Sequence, residues 1–134
     1  MEGQRQQTIL IVDNDERILR VMDGFLANAG FETRTASDGH IALDLLKSQE
    51  CDLVLVADHL SDFFLDGFLK ALQLFHTRPA VIVMQSEPPR SWDVGPYRSL
   101  GASGAVNKYR PCEVLGAANK VLSSGRGVRI ESVS

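Results

Sequence analysis

Three consecutive side chains, Asp13-Asn14-Asp15, set carboxylate and carboxamide oxygens directly after the apolar run Thr8-Ile9-Leu10-Ile11-Val12. Hard oxygen ligands gathered this way suit a hard divalent cation such as Mg²⁺. No glycine-rich turn follows the run, which argues against a backbone cradle for phosphate. The same residues also have a structural reading, because Asp and Asn are favoured helix N-caps and Asp15 stands where a helix could start. A second apolar run, Asp52 to Ala57, closes on Asp58-His59, and a brief later stretch, Ala105 to Lys108, ends on a lysine. His40, His59 and His76 are scattered without ligand spacing, so no histidine is assigned to a metal. Cys51 and Cys112 form no CxxC pattern and read as free thiols in a reducing compartment. No other nucleophile and base stand together, so an independent enzyme is not expected.

The elements that must position these groups alternate along the chain. Thr8–Val12 is apolar throughout, as in a strand buried on both faces of a parallel sheet. Ile18, Val21, Met22, Phe25 and Leu26 then recur at helical spacing from an Asp15 cap to a Gly30 stop. Phe31 to Ala36 reads as a strand nearer an edge, and Ser37-Asp38-Gly39 opens a helix carrying Ile41, Ala42, Leu45 and Leu46. Asp52–Ala57 is a third strand, Asp66–Phe75 a short helix and Ala80–Met84 a fourth strand. Glu87 to Gly101, with Pro88, Pro89, Gly95 and Pro96, is poor helix material and is expected to be the least regular and most mobile connection. Ala105–Lys108 is a brief fifth strand, and Pro111 suits the first position of a last helix. Five strands alternating with helices predict an α/β fold, a three-layer α/β/α sandwich. The expected bounds are a disordered segment at 1–7, one domain at 8–123, and a tail or linker at 124–134.

A net charge of −3 gives no basic footprint for nucleic acid. The opening MEGQRQQ has no apolar signal region, and no run approaches transmembrane length, so a cytoplasmic protein is expected.

With its elements in this order, the chain resembles the receiver domain of bacterial two-component response regulators from about Thr8 to Leu122. The likeness rests on ILIVDND, the helix ending at Ala29-Gly30-Phe31, TASDGHIALDLL, CDLVLVADHL, LDGF, PAVIVM and LGASGAVNK. It implies a flavodoxin-like, five-stranded parallel sheet of order 2-1-3-4-5 and a site at its carboxyl end. There an aspartate would take a phosphoryl group from a partner histidine with Mg²⁺ assisting. By this resemblance Asp13 matches the principal Mg²⁺ ligand and Asn14 stands in place of a second acid, which weakens the metal site. Lys108 matches the lysine that pairs with the phosphoryl group. The implied partners are a sensor histidine kinase or another signalling protein, with a second copy of the chain as a further candidate and no nucleic acid or membrane.

The resemblance also has gaps. Counted without insertions, the phosphoacceptor position falls on Ala57, which has nothing to phosphorylate, while Asp58 lies one residue on. The hydroxyl position falls on Gln85 or, counted back from Lys108, on Ser86. Two registers therefore stand open, a degenerate one with Ala57 and Gln85, and a slipped one in which Asp58 is the acceptor and Ser86 its hydroxyl partner. The switch aromatic is replaced by Ala105, the proline after the lysine by Tyr109, and the loop from Leu60 to Gly67 is about two residues longer than usual. These departures favour a degenerate receiver acting through protein–protein interaction. The alternatives are an active switch using Asp58 with Mg²⁺ and Lys108, and a small-molecule binder on the same fold.

Overall fold

The structure is a computed structural model that describes residues 6–86 and 95–125. The elements in chain order are β1 (Thr8–Val12), α1 (Glu16–Asn28), β2 (Glu32–Ala36), α2 (Gly39–Ser48), β3 (Leu53–Ala57), α3 (Leu65–Leu72), β4 (Ala80–Gln85), α4 (Gly95–Arg98), β5 (Gly104–Asn107) and α5 (Pro111–Gly125). The five strands are parallel in the order β2-β1-β3-β4-β5. The expected sandwich and strand order are thus the ones observed, with the two most apolar strands, β1 and β3, inside the sheet.

Burial follows the apolar runs. Every residue of β1 and β3 is buried, whereas β2, with its Glu, Thr and Arg side chains, is mostly half-buried at an edge. Alternation splits the core in two. Ile9, Ile11, Leu53, Leu55, Ile82, Met84 and Val106 face α1 and α5, where Met22, Leu26, Val114 and Ala118 meet them. Leu10, Val12, Val54, Val56, Val81 and Val83 face α2 and α3, where Ala42, Leu46, Phe68 and Leu69 meet them.

The helix ends explain the chain's turns. Asp15 caps α1 by accepting from Arg17 N at 2.9 Å. That donation holds its carboxyl below the usual carboxylate range. At the other end Gly30, at φ +105°, lets its own N–H reach Ala27 O and that of Phe31 reach Leu26 O. Asp38 caps α2 through Ile41 N at 2.9 Å.

Some expectations shift in detail. On α1 Leu19 rather than Val21 turns inward, Val21 being half exposed, and on α2 Ile41 faces solvent. α3 ends at Leu72, short of Phe75. Of the segment expected to be least regular, residues 87–94 lie outside the described residues, and α4 is a single turn at Gly95–Arg98. Gln6 and Gln7, placed at sequence level in an unstructured segment, bond to Gly30 O and Glu32 N respectively. No helix among the described residues is long and apolar enough to cross a membrane.

Candidate functional site

Three strands deliver three side chains to one place at the carboxyl end of the sheet. Val12 is in register with Val56, so Asp13 and Ala57 are the next pair along β1 and β3. Asp13 and Ala57 continue the α1/α5 face set by Ile11 and Leu55, and Lys108 continues it from Val106 on β5. Lys108 Nζ donates to Asp13 Oδ2 at 2.9 Å, with the two side chains 9% and 2% exposed. The other carboxylate oxygen, Asp13 Oδ1, accepts from Asp15 N at 2.9 Å. Ala57 is fully buried beside this pair. Residues 95 positions apart thus meet as expected from the sequence, with the methyl group of Ala57 at the next position along β3.

Asp58 goes elsewhere. It follows Val54 and Val56 in the alternation and so lies toward the opposite face of the sheet. Its carboxylate accepts from Ser86 N and Ser86 Oγ, each at 3.4 Å, and stands 3.2 Å from His59 Nδ1. The structure therefore brings Asp58 and Ser86 to each other, while the carboxylate paired with Lys108 is Asp13. Gln85, next to Ser86, is buried, and its Oε1 has no hydrogen-bond partner among the described residues.

Asn14 is exposed, and its Nδ2 donates to Ser37 O at 2.7 Å and to Ser61 Oγ at 3.2 Å. The loop after β3 is fastened by a residue that sequence spacing did not single out. Asp62 accepts from Gly39 N and His40 N, both at 2.9 Å, and from His40 Nδ1 at 2.5 Å. Burial alone would push the Asp62 carboxyl up, but these donors outweigh it and hold the group at about 2. Phe63 lies beside the His40 ring, centroids 4.7 Å apart, and edge-on to Phe68 at 5.9 Å. Phe63 thus packs against a neighbouring helix, while Phe64 is 87% exposed. Folding also gathers Asp38, His40 and Asp62 within 4.8 Å, although no spacing in the chain announces a His–carboxylate set. Asp38 and Asp62 serve there as caps of α2. Of the thiols, Cys51 is buried, which pushes it up, and Cys112 is exposed.

Mg²⁺ takes a near-octahedral set of oxygens, and the residues here match that demand poorly. Both oxygens of Asp13 are engaged, by an ammonium and by a backbone N–H. Asn14 turns an amide nitrogen to its neighbours, Ala57 has no oxygen, and Asp58 faces Ser86 and His59. An ammonium at 2.9 Å already occupies the electrostatic role of a cation next to Asp13.

Residues 9–118 match the response regulator receiver domain family. Among curated proteins, the chain is 36% identical over 78 residues to the regulatory protein AtoC of Escherichia coli strain K12, covering 57% of this chain and 16% of that protein. It is 27% identical over 120 residues to the transcriptional regulatory protein GltR of Pseudomonas aeruginosa, covering 87% of this chain and 49% of that protein. The chain thus spans half or less of the length of these relatives. Among solved structures, the chemotaxis response regulator CheY4 of Vibrio cholerae superposes with a TM-score of 0.79 at 23% identity, over 88% of this chain and all of that one. At that identity the likeness speaks for the fold.

Proposed function

This chain belongs to the response regulator receiver domain family, and we propose that it is a receiver without acceptor chemistry at position 57, acting in two-component signalling through protein–protein contact. The observation that carries this reading is the fully buried Ala57 beside an Asp13–Lys108 pair closed at 2.9 Å. Receiver chemistry needs a carboxylate oxygen to attack phosphorus, with a cation and a lysine offsetting the charge on the phosphoryl oxygens. Alanine has no nucleophile, and the lysine is committed to Asp13. Mg²⁺ binding through Asp13 and Asn14 is accordingly weak in this reading. The partner is a sensor histidine kinase or another signalling protein, with a second copy of the chain a further candidate.

Incubation with a small phosphodonor and Mg²⁺, followed by intact mass measurement, tests the reading. The expected result is no added mass. One observation favours a second reading, in which Asp58 is the acceptor: Ser86 Oγ lies 3.4 Å from its carboxylate. A gain of one phosphoryl group that disappears in Asp58→Asn would establish that second reading and make Ser86 the phosphate's hydroxyl ligand.

A further inference from the structure

At the position of the second acid, Asn14 donates where an acid could only accept. The Ser37 carbonyl can only accept, so the amide nitrogen and not the amide oxygen must face it. Ser37 lies between β2 and α2, Ser61 between β3 and α3, and Asn14 between β1 and α1. One side chain thereby joins three of the loops at that end of the sheet, those after β1, β2 and β3, through bonds of 2.7 and 3.2 Å. An aspartate in its place would set a carboxylate oxygen against the Ser37 carbonyl oxygen, with no proton to share at neutral pH.

We propose that Asn14 is the central tie of a clasp that fixes these loops in one arrangement without metal or phosphoryl group. Two further ties surround it. Asp62 pins the third loop to the first two amides of α2, and Lys108 draws the end of β5 onto Asp13. The Phe63 ring fills the space against Gly39, where a Cβ would come 2.4 Å from Phe63 Cδ2. A conformational switch needs a ligand that binds one state better than the other. Here internal hydrogen bonds take that ligand's place, so the surface formed by the three loops is presented constitutively. The inference rests on the reading that no phosphoryl group is attached, but its test reads loop opening and not phosphorylation. A mass gain from a phosphodonor would sink that reading and leave the loop measurement standing.

The test is hydrogen–deuterium exchange by mass spectrometry on the wild type, Asn14→Asp and Ser61→Ala, each with and without Mg²⁺. Asn14→Asp should speed amide exchange in the peptides covering residues 37–40 and 59–64 by roughly two- to tenfold, the effect of losing about one net hydrogen bond. Peptides from β1 and β3 should keep their wild-type rates. Ser61→Ala, which leaves the Ser37 bond, should give a smaller increase in residues 59–64 alone. Mg²⁺ should leave the wild-type loops unchanged. Wild-type exchange in the loops of Asn14→Asp would overturn the proposal, as would loop protection gained by the wild type on adding Mg²⁺. If Asn14→Asp lost protection in the core strands as well, Ser61→Ala would decide. Faster exchange at 59–64 would support the clasp and unchanged exchange would refute it.

Discussion

Asp13 and Asp62 are two carboxylates at the same end of the sheet, held in opposite ways. Asp13 is 2% exposed and is balanced by one full charge arriving from the other side of the fold. Asp62 is 20% exposed and is balanced by two backbone N–H groups at the start of α2 and the ring of His40. The first arrangement is neutral only as a pair, so losing either member leaves a charge stranded in a dry place. The second relies largely on two backbone N–H groups that side-chain changes other than proline leave in place, and water can reach it. The buried pair should therefore be fragile to mutation. The loop carboxylate should tolerate mutation better and register directly in the acid limb of stability.

The largest effect that sharpens this contrast comes from Lys108→Met. Stranding Asp13 should cost about 3–5 kcal/mol in urea unfolding, and adding Asp13→Asn in the same chain should recover most of it. A loss below about 1 kcal/mol for the single variant would mean the pair behaves like a surface ion pair, and the comparison would fail.

Gly39→Ala should come next, acting on the Asp62 side through packing. The new Cβ meets the Phe63 ring at 2.4 Å, and that ring is held between His40 and Phe68. Overpacking of this kind costs about 1–3 kcal/mol. In a Phe63→Ala background the same substitution should cost much less, which a double-mutant cycle would measure. Equal costs in both backgrounds would show that the ring moves freely and does not fasten the loop.

The smallest effect is in pH. The folded chain holds Asp62 at about 2 against an ordinary 3.8, so its contribution is complete above 3.8 and fades as pH falls through about 2. Unfolding midpoints followed from pH 3.8 down to about 2 should fall less steeply in Asp62→Asn than in the wild type. Identical slopes would show that the donors around Asp62 do not favour its ionised form.

Much of this was legible in the order of residues. The unbroken apolar runs of β1 and β3 announced strands buried on both faces. Asp15 and Asp38 stood where caps were needed, Gly30 stood where a helix had to stop, and the alternation with helices fixed the parallel sandwich. These signals repeat every two or 3.6 residues and are read from neighbours in the chain. The site was legible in part, since Ala57 ends a strand, Asp13 and Lys108 each directly follow one, and parallel strands must end on the same side.

Folding decided what neighbours could not. Whether Ala57 or Asp58 faces Lys108 depends on which side of β3 each falls, and one residue of register exchanges the two faces. The donor nitrogen of Asn14, the capture of α2 by Asp62 from 23 residues away and the grouping of His40 with Asp38 rest on how three loops cross. No periodicity records those crossings. They are set by strand register and by the packing of Phe63 against Gly39, which bring together backbone and side-chain groups that are distant in the chain.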